Sequence, residues 1–450
     1  MRGGNGIIYC LFAILLLVCS ARSYGQDSTS ESRGYQPIVD SVYTVDSVQI
    51  IGNDHTKEMV ILREMEMKPG ALITERALRY DEARITSLGL FNRVQETAIP
   101  TSHDKARIVV KVNEQWYLFP YPILGIKYDD WSKIYFGAGL LHNNFLGRDE
   151  KLAITGVLGY EPFGSIFYRN PFLDDHGTYY LNASIGYYRI DNKSLRVSAV
   201  SNDSVVELHT TASLTLGRRF DNYNTGWLSS EYDIVDIPGD IPGSTISPAG
   251  TDRFTTLGAG YTYDTRDLAA YPQSGSYARL TITKFGLSVH GVNNIRYATD
   301  FRKFVPLGLG LIWTGRAYSD FVAGGPTPSY NRVFFGYDDR IRGYFNNVVE
   351  GEDILGFSSE LHLPIVPDHF FTVPMLPPEF NVWKFGMGLA LFGDAGTDWF
   401  RGQPHGLDTY ERGYGAGVDF LLMFNAVVRF EYALNEVRKG QFIVEGGLSY

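Results

Sequence analysis

From Trp116 to Tyr450 the chain repeats one pattern: segments of about ten residues that alternate apolar and polar, split by clusters of Gly, Asn, Asp and Pro. Successive side chains on a strand point to opposite faces, so this alternation gives each segment one apolar and one polar side. In "KFGMGLALFGDAG", Phe385, Met387, Leu389 and Leu391 share a face, while Lys384, Phe392 and Asp394 take the other. In "QFIVEGGLSY", Phe442, Val444, Leu448 and Tyr450 oppose Gln441, Glu445 and Ser449. About sixteen strands can be placed, starting near 116, 132, 149, 163, 177, 205, 223, 252, 275, 293, 308, 354, 382, 411, 425 and 440. A soluble sandwich alternates too, with its apolar face inward. The ten-residue spacing and the aromatic last residue favour an all-β transmembrane barrel of antiparallel strands, and 30 Tyr, 28 Phe and 48 Gly suit its aromatic rims and tight turns.

The N-terminus points the same way. Arg2 precedes the apolar run "IIYCLFAILLLVC", followed by small and polar residues, which is the layout of a secretory signal peptide over 1–25. Cys10 and Cys19 both lie inside it, so the expected mature chain has no cysteine and no disulfide. Residues 26–41 form a polar, Ser-rich leader without periodicity. A net charge of −10 argues against nucleic acid as a partner. There is no G-x-S-x-G elbow, no metal-ligand spacing among the histidines and no phosphate loop, so neither enzyme activity nor a cofactor is expected.

Between leader and barrel, residues 42–115 read as a unit of their own. "YTVDSVQIIGN" alternates as a strand and ends in a turn, and "TKEMVILREMEM" reads as a helix with Thr56 as its N-cap. "TERALRYDEARITSLGLF" reads as a second helix with Leu78, Ile85 and Leu88 on one face. Gly89 stands at its left-handed cap and Leu90 packs back on the last turn. Two strands, "NRVQETAI" and "ARIVVKVNE", close a β-α-α-β-β order. With Ile51-Gly52-Asn53, Arg63-Glu64, Pro69-Gly70 and Leu88-Gly89-Leu90-Phe91 in place, the unit resembles a POTRA domain, the periplasmic module that precedes outer-membrane assembly barrels.

The longest irregular connection, 322–353, joins the eleventh and twelfth candidate strands, which makes it external if the N-terminus is periplasmic. It carries "YDDRIRGYFN". A guanidinium can anchor a loop inside a polar lumen, because its planar fork bridges two carboxylates. Glu360 and His362 share the polar face of the next strand, and Asp394 the polar face of the one after. "RIRGY", "SSELHLP", "LFGDAGTDW", "YDTRDLAAYPQSGSY" and "VVRFEYA" are similar, in this order, to signatures of the BamA/TamA superfamily of outer-membrane assembly and translocation barrels. The resemblance implies that Arg342 locks the loop into the lumen with Glu360 and Asp394 as partners. Gly343 would permit close backbone approach, and Tyr344 would pack in the lumen. Arg340 is expected in solvent, and Asp264, Arg266 and Asp267 are expected to hold a periplasmic turn.

"WYLFPYPILGIKY" carries Pro120 and Pro122, which remove two donors from one edge if they lie in the first strand; the alternative is an extended linker ahead of it. Together with the terminal Tyr450 they mark the candidate closing seam. The family implies a factor that inserts or translocates client barrel or secreted proteins, binds them along the POTRA edge, lies in the outer-membrane bilayer, and works with accessory lipoproteins. The rivals are a secretion pore for one dedicated soluble partner and a passive channel.

Overall fold

The structure is a computed structural model. It describes residues 43–447 apart from 128–130, 175–176, 202–204, 238–240, 268–270, 288–290, 337–338, 345–347, 373–374, 376–381, 405 and 423–426. The signal peptide, the leader and Tyr450 lie outside the described residues.

The N-terminal unit runs β1 (Thr44–Ile51), α1 (Glu58–Leu62), α2 (Glu75–Ser87), β2 (Phe91–Pro100) and β3 (Lys105–Glu114). Its sheet has the order β1-β3-β2, with β3 parallel to β1 and antiparallel to β2. Alternate residues of β3, Ala106, Ile108, Val110 and Val112, are buried in a core with Val60, Ile61, Ile85 and Leu90. The helix α2 begins as expected, with the Thr74 hydroxyl accepting from the Ala77 amide at 3.1 Å. Gly89 is left-handed at φ +66°, and Leu90 is fully buried.

The first helix departs from expectation. It spans five residues and starts from Lys57 without a side-chain cap. Thr56 is engaged elsewhere: its amide donates to Glu114 at 2.6 Å, and its hydroxyl meets Tyr117 Oη at 3.0 Å and Asn144 Nδ2 at 2.9 Å. Past Leu62 the chain is drawn away by Asp81 of α2, whose carboxylate accepts the Glu66 and Met67 amides at 2.7 and 2.9 Å. Tertiary partners therefore override a helical propensity that was present locally.

The barrel sheet has sixteen strands. They are β4 (Leu118–Ile126), β5 (Ile134–Phe145), β6 (Glu150–Gly159), β7 (Phe163–Asn170), β8 (Tyr179–Asp191) and β9 (Val206–Arg219). Next come β10 (Asn224–Asp236), β11 (Thr251–Asp264), β12 (Gly275–Phe285), β13 (Asn294–Gly308) and β14 (Leu311–Gly324). The long loop holds a small hairpin, β15 (Val333–Phe335) and β16 (Val349–Gly351). The last are β17 (Asp353–Thr372), β18 (Val382–Trp399), β19 (Glu411–Leu421), β20 (Val427–Asn435) and β21 (Gly440–Gly447). No expected barrel start is off by more than three residues. A short helix, α3 (Leu195–Ser201), lies between β8 and β9.

Every strand pairs antiparallel with its neighbour, and β14 pairs directly with β17. Large apolar residues such as Leu124, Leu158, Ile185, Leu228 and Leu391 are exposed on the outer wall, whereas Glu360, Asp394, Asp419 and Glu431 are buried inside. An apolar exterior around a polar interior fits a sheet that faces lipid. Among the described residues no helix is long and apolar enough to cross a membrane, which says nothing against strands.

The N-terminal unit rests on the barrel turns. Lys57 donates its amide to the Gly147 carbonyl at 2.8 Å, and the Arg63 guanidinium stacks on Phe172 at 3.5 Å. Phe172 is fully buried within that unit's core. The staple expected in the β11–β12 turn is present: Arg266 grips Asp264 at 2.7 and 2.9 Å, and Asp267 accepts the Gln273 amide at 3.0 Å.

Candidate functional site

The connection between β14 and β17 dips into the lumen, and Arg342 lies in a turn closed by the Tyr344 amide on the Ile341 carbonyl at 2.9 Å. Its Nε and Nη2 donate to the two oxygens of Asp394 on β18 at 2.7 and 2.8 Å, the paired geometry a guanidinium fork allows. Its Nη1 donates to Glu360 on β17 at 2.7 Å and to Glu431 on β20 at 2.9 Å. Ser358 joins at 3.2 Å and itself donates to Asp394 at 2.7 Å. The guanidinium plane covers the Phe392 ring at 3.6 Å from its centroid. One cation thus ties a loop to three strands, with the acids' side chains at most 6 % exposed.

The backbone makes room for this. Gly343 has φ +100°, and a Cβ there would come within 2.9 Å of the Leu434 carbonyl oxygen. A side chain at Gly413 on β19 would collide with the Arg342 carbonyl oxygen. Tyr344 is half-buried and packs with Tyr318, Phe335, Ile341 and Ile354. Asp339 is held by Arg316 of β14 at 3.1 Å, and Arg316 also pairs with Asp300 of β13. Arg340, expected in solvent, is half-buried.

The charge network extends beyond the expected trio. His362 faces Glu360 through Nε2 and Asp419 of β19 through Nδ1, the latter at 3.1 Å. Arg429 of β20 approaches Asp419 at 3.4 Å. Glu360, His362 and Asp419 lie within 4.8 Å of one another, a spacing that could suggest a metal centre. A metal needs its donors to converge on one point. Here the imidazole sits between the carboxylates and turns one nitrogen to each, so the geometry is that of a bridge. Glu431, Asp419 and Arg429 were not singled out from sequence. The available signal was the alternation in "VVRFEYA", where Arg429 and Glu431 share the face opposite Phe430 and Tyr432.

Pro120 and Pro122 both lie inside β4, paired opposite Leu140 and Ala138, and not in a linker. Asn143 donates to Tyr117 and Lys127 donates to Lys133, so odd-numbered residues of β4 bond to β5. Even-numbered residues, both prolines included, turn their backbone groups to the opposite edge. Among the described residues the sheet ends there: β4 closes one side of the strand order and β21 the other. Two donors are therefore missing from the edge that would meet β21.

Residues 144–449, more than half the chain, match the Omp85 superfamily domain. The chain belongs to the Omp85 superfamily. Residues 43–115 match the POTRA family described as a surface antigen variable number repeat. One POTRA domain ahead of a sixteen-stranded sheet makes this an Omp85 protein of the BamA/TamA type. The outer membrane protein assembly factor BamA of Nitratidesulfovibrio vulgaris is 23 % identical over 347 residues, which are 73 % of this chain and 42 % of that protein. BamA of Neorickettsia risticii is 26 % identical over 225 residues, 48 % of this chain and 29 % of that protein. The chain thus spans less than half the length of these relatives. BamA of Haemophilus ducreyi lacking POTRA domains 1–3 shares the fold with a TM-score of 0.56 at 19 % identity, covering 90 % of this chain and 83 % of that one. CdiB of Escherichia coli does so at 0.59 and 12 %, covering 90 % and 75 %. This Omp85 barrel lies in the bacterial outer membrane with its POTRA domain in the periplasm. The turns that touch the POTRA domain are then periplasmic, and the loop bearing Arg342 enters from outside.

Proposed function

We propose that this Omp85 protein inserts or translocates other proteins at the outer membrane, without a cofactor and without enzymatic chemistry. The observation that carries the reading is the unequal strength of the sheet. On β17, β18 and β20 a buried guanidinium binds three carboxylates, while the β4 edge that would meet β21 lacks two donors. A ladder bond contributes about 0.5–1.5 kcal/mol in water, and an unpaired group costs more in lipid. A seam with fewer bonds opens more readily and offers its edges to an incoming strand. Client segments would first add to the free edge of the POTRA sheet, where β2 is outermost. The opposite edge is less open, since β1 is bonded to the segment around Ala71 and Ile73. Accessory lipoproteins would dock in the periplasm.

A disulfide between β4 and β21 tests this in proteoliposomes supplied with an unfolded client barrel. The locked protein is expected to lose insertion and to regain it on reduction. Full insertion by the locked protein would remove the seam from the mechanism.

A further inference from the structure

The lipid-facing wall is not uniformly bulky. One row of outward residues, followed through the register from β12 to β18, reads Ser276, Lys303, Gly315, Ser359 and Gly393. On its periplasmic side the parallel row reads Val305, Trp313, Leu361 and Leu391; on its outer side Phe301 and Phe357 alternate with alanines. Apart from Lys303 the row is small, and with Ala278, Ala317 and Ala395 beside it leaves a groove bounded by Trp313, Phe301 and Phe357. The depression holds about 600 Å³, within the range of about 300–1,000 Å³ that small-molecule sites occupy.

Its direction matters. Five strands at roughly 4.8 Å spacing make the groove about 19 Å long. Strands tilted by about 40° incline the row equally, so it rises by about 12 Å, half of an apolar band of about 25 Å. The low end is at Ser276, next to Gly275, the first residue of β12 after a periplasmic turn. The high end is at Gly393, which is followed in register by the exposed Tyr414. The groove therefore leads from the periplasmic interface to the middle of the bilayer.

Its ends differ chemically. At the low end the exposed Lys303 ammonium donates to the Ser276 hydroxyl at 2.9 Å. A lysine on a lipid-facing wall is tolerated at the interface, where its ammonium meets head groups. Further along, the Trp313 indole lies over Gly315 and donates to the Ser359 hydroxyl at 3.0 Å, so its ring forms a flat apolar floor with its one donor already used.

We propose that this groove binds a phospholipid of the periplasmic leaflet, its phosphate on Lys303 and Ser276 and one acyl chain along Gly315, Ser359 and Gly393. A cation at the head-group level and a chain-wide apolar slot of one leaflet's depth complement an anionic amphiphile. The proposal rests on the membrane topology of the chain and not on client handling, so either can fail alone.

Native mass spectrometry of the purified full chain in detergent tests it, with phosphatidylglycerol and the diacylglycerol of the same chains as probes. The wild type is expected to retain phosphatidylglycerol over diacylglycerol. Lys303→Gln should lower that retention by about ten-fold or more, the size of one charged hydrogen bond. Gly393→Leu fills the slot, and the nearest atom to its Cβ would be a carbonyl oxygen 3.9 Å away, so it folds without a clash. It should lower the retention of both probes. Gly156→Leu, on the lipid-facing wall between exposed Ile154 and Leu158 and clear of other atoms, is the control and should retain both. Heat-modifiable electrophoretic mobility establishes that each variant is folded. Equal retention of the two probes by the wild type, unchanged retention in Lys303→Gln and Gly393→Leu, or an equal loss in Gly156→Leu would each overturn the site.

Discussion

Replacing Arg342 with Ala takes one guanidinium away from Asp394, Glu360 and Glu431 and leaves the acids where they are. Those side chains are 5 %, 6 % and 1 % exposed, so water cannot take over. Removing one partner of a buried pair costs about 3–5 kcal/mol, chiefly because the remaining charge stays unpaired. His362 still compensates Glu360, and Asp394 keeps the Ser358 hydroxyl, which holds the expected loss inside that range in place of three times it. Arg342→Lys should fall between wild type and Ala, because a point charge cannot span a pair of oxygens on Asp394 and also reach two further acids. Urea titration of the folded barrel in lipid vesicles, read by heat-modifiable mobility, measures both. The decisive variant adds Glu360→Gln, Asp394→Asn and Glu431→Gln to Arg342→Ala. If unpaired charge is the cause, neutralising it recovers most of the loss. A single variant within about 0.5 kcal/mol of wild type, or a combined variant that loses still more, would refute the reasoning.

Changing Pro120 and Pro122 to Val should return two donors to the β4 edge, stiffen the seam by about 1–3 kcal/mol, and slow client insertion in proteoliposomes; an unchanged rate would count against the seam. In the POTRA domain neither carboxylate oxygen of Glu96 has a hydrogen-bond partner among the described residues. Its burial, with Asp81 and Glu82 nearby, raises its pKa from the ordinary 4.5 to about 8. The unfolded chain then ionises before the folded one, so POTRA stability is greatest below 4.5, declines as pH rises toward 8, and levels off above. Glu96→Gln should flatten that decline, as read by amide-exchange protection in β2 and β3 of the full chain at about pH 5 and about pH 8.5. Arg63→Ala removes the stack on Phe172, worth about 0.5–2 kcal/mol, and should broaden the POTRA-to-barrel distance distribution measured between spin labels; an unchanged distribution would show that other contacts hold the domain.

Strand positions were legible because alternation and turn residues are local. Gly275, Val382, Glu411 and Gly440 begin strands where the pattern changes, with no help from distant residues. Arg342, Glu360 and Asp394 could be brought together because two adjacent strands and one loop suffice to describe them. Glu431 could not, since its approach to Arg342 across 89 residues depends on how the wall curves. The short α1 was illegible for a related reason. Its end is dictated by Asp81 from another helix and, through Arg63, by Phe172 from the barrel.

The position of the ion network also bears on whether the seam can open. Arg342 holds β17, β18 and β20, and Asp339 links the same loop through Arg316 to β14 and Asp300 of β13. All of these strands lie between β4 and β21 in the strand order. Parting β4 from β21, as proposed, would break none of the named ion pairs, and its cost would fall on the edge from which the two prolines remove donors. On the proposed reading the loop would brace the wall while its edge is exposed, and would not latch across the opening. That distinction is measurable. Arg342→Ala should weaken the barrel as a whole yet leave the yield of a β4–β21 disulfide unchanged in vesicles, below the urea concentrations that unfold it. A disulfide yield that falls in step with stability would make the loop a latch.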